Sequence, residues 1–339
     1  TPLMEAGVDS LGAVELRNNL QRAVGDGTML PTTLVFDHPT TRQLTALLHP
    51  MGRKELQQEV RVSQSSRTMA CIDSLSISAP DGVATLATVR RLTLTGWCAH
   101  EEVPIGRWDV VPAPGLVADR CQFLNTLAGV QLFDRGFFGI SYAETSGMDP
   151  QQRMLLEHSY TALHEGGHTR AELLGGLSGN FVAISNFDFA DVLREATLSG
   201  WMRAASAMLS LASGRTSFVL GLHGPCLSID TACSSSLTSS HFAHRSLQSQ
   251  GCVDALAAAV CLILSPAIQH GNAHAGMTSP NGRSHTFDTR ADGYARGEAC
   301  GAAVLSASAV DDVTALGLRG SAVRQDGRSA SLTAPNGRA

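Results

Sequence analysis

Two short stretches of this 339-residue chain carry side chains suited to covalent chemistry. In one, Gly224-Pro225 precedes the apolar run Cys226 to Ile229, and the short residues Asp230-Thr231-Ala232-Cys233-Ser234-Ser235-Ser236 lead into a helical pattern through about Leu247. This order predicts a buried strand, a tight turn and a helix, with Cys233 at the turn. A helix N-terminus favours the thiolate there, and small neighbours leave room for a substrate to approach. The other cysteines, Cys71, Cys98, Cys121, Cys226, Cys252, Cys261 and Cys300, read as packed, inert thiols. In the other stretch, Gly7-Val8-Asp9-Ser10 stands immediately before an amphipathic helix. Taken alone, an Asp-Ser pair is a helix cap.

These groups need elements to hold them. Residues 1–49 show two apolar helical patterns, Leu11, Val14, Leu16 and Leu20, then Leu44, Leu47 and Leu48, joined by a loop with Gly25, Gly27 and Pro31. They predict a small all-α unit. Residues 50–69 are polar and Ser-rich without a sustained apolar face, which predicts a linker. From residue 70 to 339, apolar runs at Gly179–Ile184, Cys226–Ile229, Ala257–Leu264 and Gly301–Leu305 alternate with helical patterns, predicting buried strands in a layered α/β domain.

Composition excludes several classes. Hydrophobic residues make up 43% and charged residues 16%, as in ordinary globular domains. A formal charge of −5 with scattered Lys and Arg leaves no footprint for nucleic acid or an anionic membrane. No apolar run approaches the roughly 20 residues of a membrane span. No CxxC pair occurs, so the thiols are expected to be reduced. His164 and His168 flank Glu165, but Gly166-Gly167 interrupts any helix that would present them together, which argues against a metal site.

The wider contexts resemble known families. Gly7 to Asn18, with Leu30-Pro31-Thr32-Thr33-Leu34-Val35-Phe36-Asp37-His38-Pro39-Thr40, resembles the attachment region of acyl carrier proteins. Residues 70–339 resemble β-ketoacyl synthases through Asp230-Thr231-Ala232-Cys233-Ser234-Ser235-Ser236-Leu237 and the anchors Val103–Asp109, Phe133–Ser141, Met148–Arg153 and Gly282–Glu298. Together they resemble a segment of a modular type I polyketide synthase. The resemblance implies a thiolase-like αβαβα ketosynthase, incomplete, preceded by part of a carrier helical bundle that lacks its first helix. It also implies 4′-phosphopantetheine covalently on Ser10 and Cys233 as the nucleophile, with acyl and malonyl-type thioesters on carrier proteins as substrates. A phosphopantetheinyl transferase as partner, a homodimer and a cytoplasmic setting follow from the same likeness, while the charged residues of the anchors are expected to pair internally as scaffold.

Departures from that pattern matter. The two histidines of condensing enzymes belong to HGTGT and NxGH motifs, and neither motif occurs. In the family both lie beyond the stretch matching Thr333-Ala334-Pro335-Asn336-Gly337, so the segment is expected to be truncated and inactive in condensation alone. His241 is no substitute, standing eight residues past Cys233, roughly 12 Å along a continuous helix. Residues 70–96 lack the usual GMACRFPGG start, and Cys261 stands where an Asn is expected. The leading expectation is a chain-extending ketosynthase. The alternatives are a non-condensing ketosynthase that only transfers or docks acyl chains, and a cysteine acyltransferase or hydrolase on the same turn.

Overall fold

The computed structural model describes residues 3, 10–25, 29–31, 33–56, 68–108, 119–186, 188–195, 208–309, 316–325 and 327. Two compact units emerge, residues 1–66 and 67–339.

In the first unit, helix α1 spans Ser10–Val24, α2 Leu34–Asp37 and α3 Thr41–Leu56. Leu16, Leu20 and Val24 recur every fourth residue and so share one face of α1. That face packs on the buried Leu30, Leu34 and Leu44. The loop after α1 is tied back by its own helix: Leu30 N–H donates to Gln21 Oε1 at 2.7 Å, and Arg17 Nε donates to Leu30 O at 3.1 Å. Helix α3 continues to Leu56, past the 49/50 boundary expected for a linker. Helical backbone hydrogen bonding thus extends into a run whose polarity alone suggested a spacer.

The second unit is built on one six-stranded sheet. Its strands are β1 (Thr68–Ser78), β2 (Ser178–Ala183), β3 (Cys226–Ile229), β4 (Asp254–Cys261), β5 (Ala299–Ala309) and β6 (Leu316–Leu318), in the order β3-β2-β4-β5-β1-β6. Strand β2 runs parallel to β3 and β4, whereas β5 is antiparallel to β4 and β1. Helices α4 (Pro150–Glu165) and α5 (Ser210–Leu220) cover one face, where Leu155, Leu156 and Leu220 meet Val182, Leu256 and Val304. Helix α6 (Ser235–Gln248) covers the other, placing Ala243 and Leu247 against Phe181, Ala257 and Leu305. Where the chain enters β3 it passes close to β2: a Cβ on Gly224 would fall 2.3 Å from Ser178 O, so only glycine fits.

Two expectations about strands need correction. β3 was expected to be buried, but it pairs with β2 alone, and Cys226 and Leu227 are exposed. The run Ala257–Leu264 was expected as one strand, yet β4 begins at Asp254 and ends at Cys261. Beyond Cys261 the amides are taken by buried side chains. Leu262 N–H donates to Gln151 Oε1 (3.1 Å), Ile263 N–H to Glu298 Oε1 (2.8 Å), and Leu264 and Ser265 N–H to Asp188 Oδ2 (2.8 and 3.2 Å). Glu298 Oε2 also accepts from Leu127 N–H at 2.8 Å and from Arg107 Nη2 at 2.7 Å. Charged residues of the sequence anchors thus pair inside the fold.

Asp149 belongs to the same buried region. Its Oδ1 caps α4 by accepting from Gln151 N–H at 2.7 Å. Burial lifts its carboxyl to about 6, against the pull of the Gln151 hydrogen bonds and with a push from the Asp188 charge. An unfolded Asp titrates near ~3.9. Between those values the folded state keeps a proton the unfolded chain has released, so this group makes stability fall as pH rises from ~4 to ~6 and then level off. The loss is at most about 3 kcal/mol. Asp149→Asn, which preserves the cap acceptor, is expected to flatten the slope of Tm against pH over that window, measured by circular dichroism. A slope as steep as that of the unsubstituted chain would assign the titration elsewhere.

Candidate active site

The turn after β3 is short and strained. Asp230 and Thr231 lead into a single 3-10 turn, Ala232–Ser234, and α6 starts at Ser235. Ala232 has φ 55°, a left-handed conformation that costs an L-residue about 1 kcal/mol. Its neighbours hold it there. Ala232 N–H donates to Asp230 Oδ1 at 2.9 Å. Ser235 Oγ accepts from Thr231 N–H and donates to Ala232 O, both at 2.7 Å. Ser234 Oγ donates to Thr231 O at 2.9 Å. The inverted residue reverses the chain immediately before Cys233, whose side chain is exposed.

Cys233 borders a cavity of about 800 Å³ between the start of α6 and the sheet. Its sheet wall carries Ile77, Ala183, Ala259, Ala299 and Gly301, with Asn186, Tyr294 and Arg296 also on the lining. Two further cysteines border the same space, Cys261 and Cys300, but the Cys300 side chain is buried on the opposite sheet face, with Leu155 and Leu156 of α4. Burial pushes the Cys261 thiol up, with the Arg296 guanidinium opposing it, and pushes the Cys300 thiol higher still. Both therefore stay protonated, while Cys233 is the cysteine presented on a turn.

The remaining candidates separate cleanly. His241 and His244 both turn Nδ1 to Ser321 Oγ at 2.9 Å. His164 stacks on Tyr160, and His168 Nε2 lies 4.0 Å from Asp254 Oδ2. Among the described residues no group of three His, Cys, Asp or Glu could hold a metal ion. Thr333–Gly337 lies outside the described residues. Ser10 opens α1, a 15-residue helix with no acidic residue in its first turn, so a phosphodiester there would meet no repulsion from that turn. That fits 4′-phosphopantetheine. Sequence reasoning missed the inversion at Ala232 and the double role of Ser235.

Comparison with known proteins decides the family. The model for the N-terminal domain of β-ketoacyl synthase matches residues 70–309, and that for the phosphopantetheine attachment site matches residues 1–48. The chain belongs to the modular polyketide synthases. It is 37% identical over 351 residues to the spectinabilin polyketide synthase system protein NorA′ of Streptomyces orinoci, covering 98% of this chain and 9% of that protein. It is 40% identical over 250 residues to a mycocerosic acid synthase-like polyketide synthase of Mycolicibacterium smegmatis, covering 69% of this chain and 12% of that protein. Among solved structures, the ketosynthase from module 6 of the bacillaene synthase from Bacillus subtilis 168 superposes with TM-score 0.70 at 28% identity, covering 79% of this chain and 46% of that one. The second unit of this polyketide synthase segment thus has the thiolase-like layered ketosynthase fold, and the attachment-site match implies a covalent 4′-phosphopantetheine on a serine. The chain spans about a tenth of the length of these curated relatives and less than half of the solved ketosynthase.

Brief iodoacetamide treatment followed by peptide mass spectrometry is expected to label Cys233 at least about tenfold faster than Cys261 and Cys300, because the thiolate is the reactive form. Equal labelling would remove the distinction drawn among the three thiols. Ser235→Ala is expected to lower stability by about 1–2 kcal/mol, since it leaves Thr231 N–H without its acceptor. Urea unfolding measures that loss.

Proposed function

We propose that this chain joins a carrier unit to a ketosynthase, with Ser10 as the attachment serine and Cys233 as the acyl acceptor. The presentation of Cys233 on a strained turn, at the edge of a cavity walled by small residues, carries the assignment. When bound, 4′-phosphopantetheine would supply a thiol on a flexible arm to hold the acyl chain as a thioester.

In the step assigned to the residues present, Cys233 Sγ as thiolate attacks the carbonyl carbon of an acyl thioester. A tetrahedral oxyanion forms, and the backbone N–H of Cys233 is one proposed donor to it. Collapse breaks the bond to the departing carrier thiolate, which takes up a proton, and leaves the acyl group on Cys233. Because the chain spans 46% of the solved ketosynthase, condensation is proposed for the whole domain. There a malonyl-type thioester loses CO2, the resulting carbanion attacks the Cys233 thioester, a C–C bond forms, and the Cys233 C–S bond breaks to release a β-ketoacyl product. A non-condensing ketosynthase would share the acylation without forming the C–C bond, and no observation favours it.

Partners follow from the same reading. Carrier-bound thioesters are the substrates and a phosphopantetheinyl transferase is the modifying partner. A second copy is proposed to pair along the open edge of β3, where Leu227 is exposed and the contacting helices α5 and α6 expose Phe218 and Leu237. All eight cysteines are unpaired, which fits a reducing, cytoplasmic compartment. Among the described residues no helix is long and apolar enough to cross a membrane.

Incubation with a phosphopantetheinyl transferase and coenzyme A is expected to add the arm to Ser10, and incubation with a short acyl thioester to acylate Cys233. Peptide mass spectrometry locates both adducts, and Ser10→Ala and Cys233→Ala should each abolish one without the other. Adducts on other residues would overturn the assignments. Leu227→Lys should shift any dimer toward monomer in light-scattering chromatography, whereas an unchanged dimer would place the contact elsewhere.

A further inference from the structure

The sheet face beneath α6 changes character between one row of residues and the next. Phe181, Ala257 and Ala303 are in register across β2, β4 and β5, and with Leu305 they pack under Ala243 and Leu247 of α6. Two residues along each strand, on the same face, the row is Ala183, Ala259 and Gly301, with Ile77 of β1 paired to Gly301. This second row lines the Cys233 cavity. Packed core gives way to open space because the side chains shrink.

Gly301 is not required by the backbone. Its φ is not among the positive values. A Cβ built there would meet Ser76 O at 3.5 Å and Ile77 Cγ1 at 3.9 Å, ordinary contact distances. Glycine inside a strand is less stable than alanine, because it orders more backbone freedom. What glycine provides at this position is width. The wall around it is formed by Ile77, Ala183 and Ala259, while Asn186, Ser236, Tyr294 and Arg296 line other parts of the same cavity.

We propose that Gly301 sets the width of the acyl cavity, so that the site takes a long acyl chain on Cys233. This rests on the acyl-transfer reading above. Larger residues at 301 narrow the space directly, and trimming Ile77 widens it.

The test compares loading of Cys233 from the N-acetylcysteamine thioesters of acetate and octanoate, read by peptide mass spectrometry. Gly301→Val is expected to lower the octanoyl-to-acetyl ratio by about tenfold, Gly301→Ala by less, and Ile77→Ala to raise it. Should the valine variant fail to fold by circular dichroism, the two alanine variants decide. Ratios that stay within about twofold across the folded variants overturn the width assignment. If no thioester loads the unsubstituted chain, the acyl-transfer reading fails by itself. The width assignment is then decided by the rates at which iodoacetamide and N-octyl iodoacetamide alkylate Cys233 in the same variants, since alkylation needs no acyl transfer.

Discussion

The chain leaving β4 must satisfy successive backbone amides where no neighbouring strand takes them, and three buried side chains do so. Gln151 comes from α4, Asp188 from the segment after β2, and Glu298 from the residue before β5. Gln151 Nε2 also donates to Asn186 O at 2.9 Å, so the same network fixes the chain beyond β2. Desolvation pushes the Asp188 and Glu298 carboxyls up. A buried carboxylate is tolerable only while its partners remain, so loss of one member exposes the full cost of the others. The ends of β2, β4 and β5 are thereby fixed together, and those strands carry Ala183, Ala259 and Gly301.

The turn that carries Cys233 depends on that frame. An inverted Ala232 is stable only because Asp230, Thr231, Ser234 and Ser235 overdetermine it, and because β3 and α6 on either side are anchored to the sheet. Local strain of this kind persists where surrounding hydrogen bonds hold it. Its consequence is positional: the turn sets Cys233 beside a stretch of sheet face where Ala183, Ala259 and Gly301 leave space.

Local signals made some of this legible in the sequence and left other parts hidden. The bounds of β3 follow from an apolar run between Gly-Pro and Asp-Thr, and Cys233 from the short residues around it. The exposure of β3 does not follow, because the number of neighbours a strand has is a property of the sheet. The end of β4 at Cys261 was illegible for a related reason, as Leu262, Ile263 and Leu264 are as apolar as the strand itself and are diverted by acceptors distant in sequence. β1 was not anticipated at all. Its Asp73, Ser74, Ser76 and Ser78 look like a loop, and an irregularity in its pairing between Ile72 and Ser74 breaks the alternation that would mark a strand. In the carrier unit, polarity after Leu48 suggested a linker although α3 persists to Leu56.

The three thiols around the cavity show why motif and environment must be read together. A cysteine by itself is as consistent with packing as with chemistry. Cys300 is fully enclosed by the sheet and α4, and burial holds its proton in place. Cys261 keeps contact with the cavity, yet burial outweighs the Arg296 charge that would help it ionise, and Asn186 Nδ2 stands 3.5 Å from its sulfur. Cys233 alone combines exposure with a helix N-terminus directly after it and short neighbours on both sides. Thiol chemistry is common to all three while backbone geometry and solvation differ, and of the two buried thiols Cys261 is the one on the cavity wall.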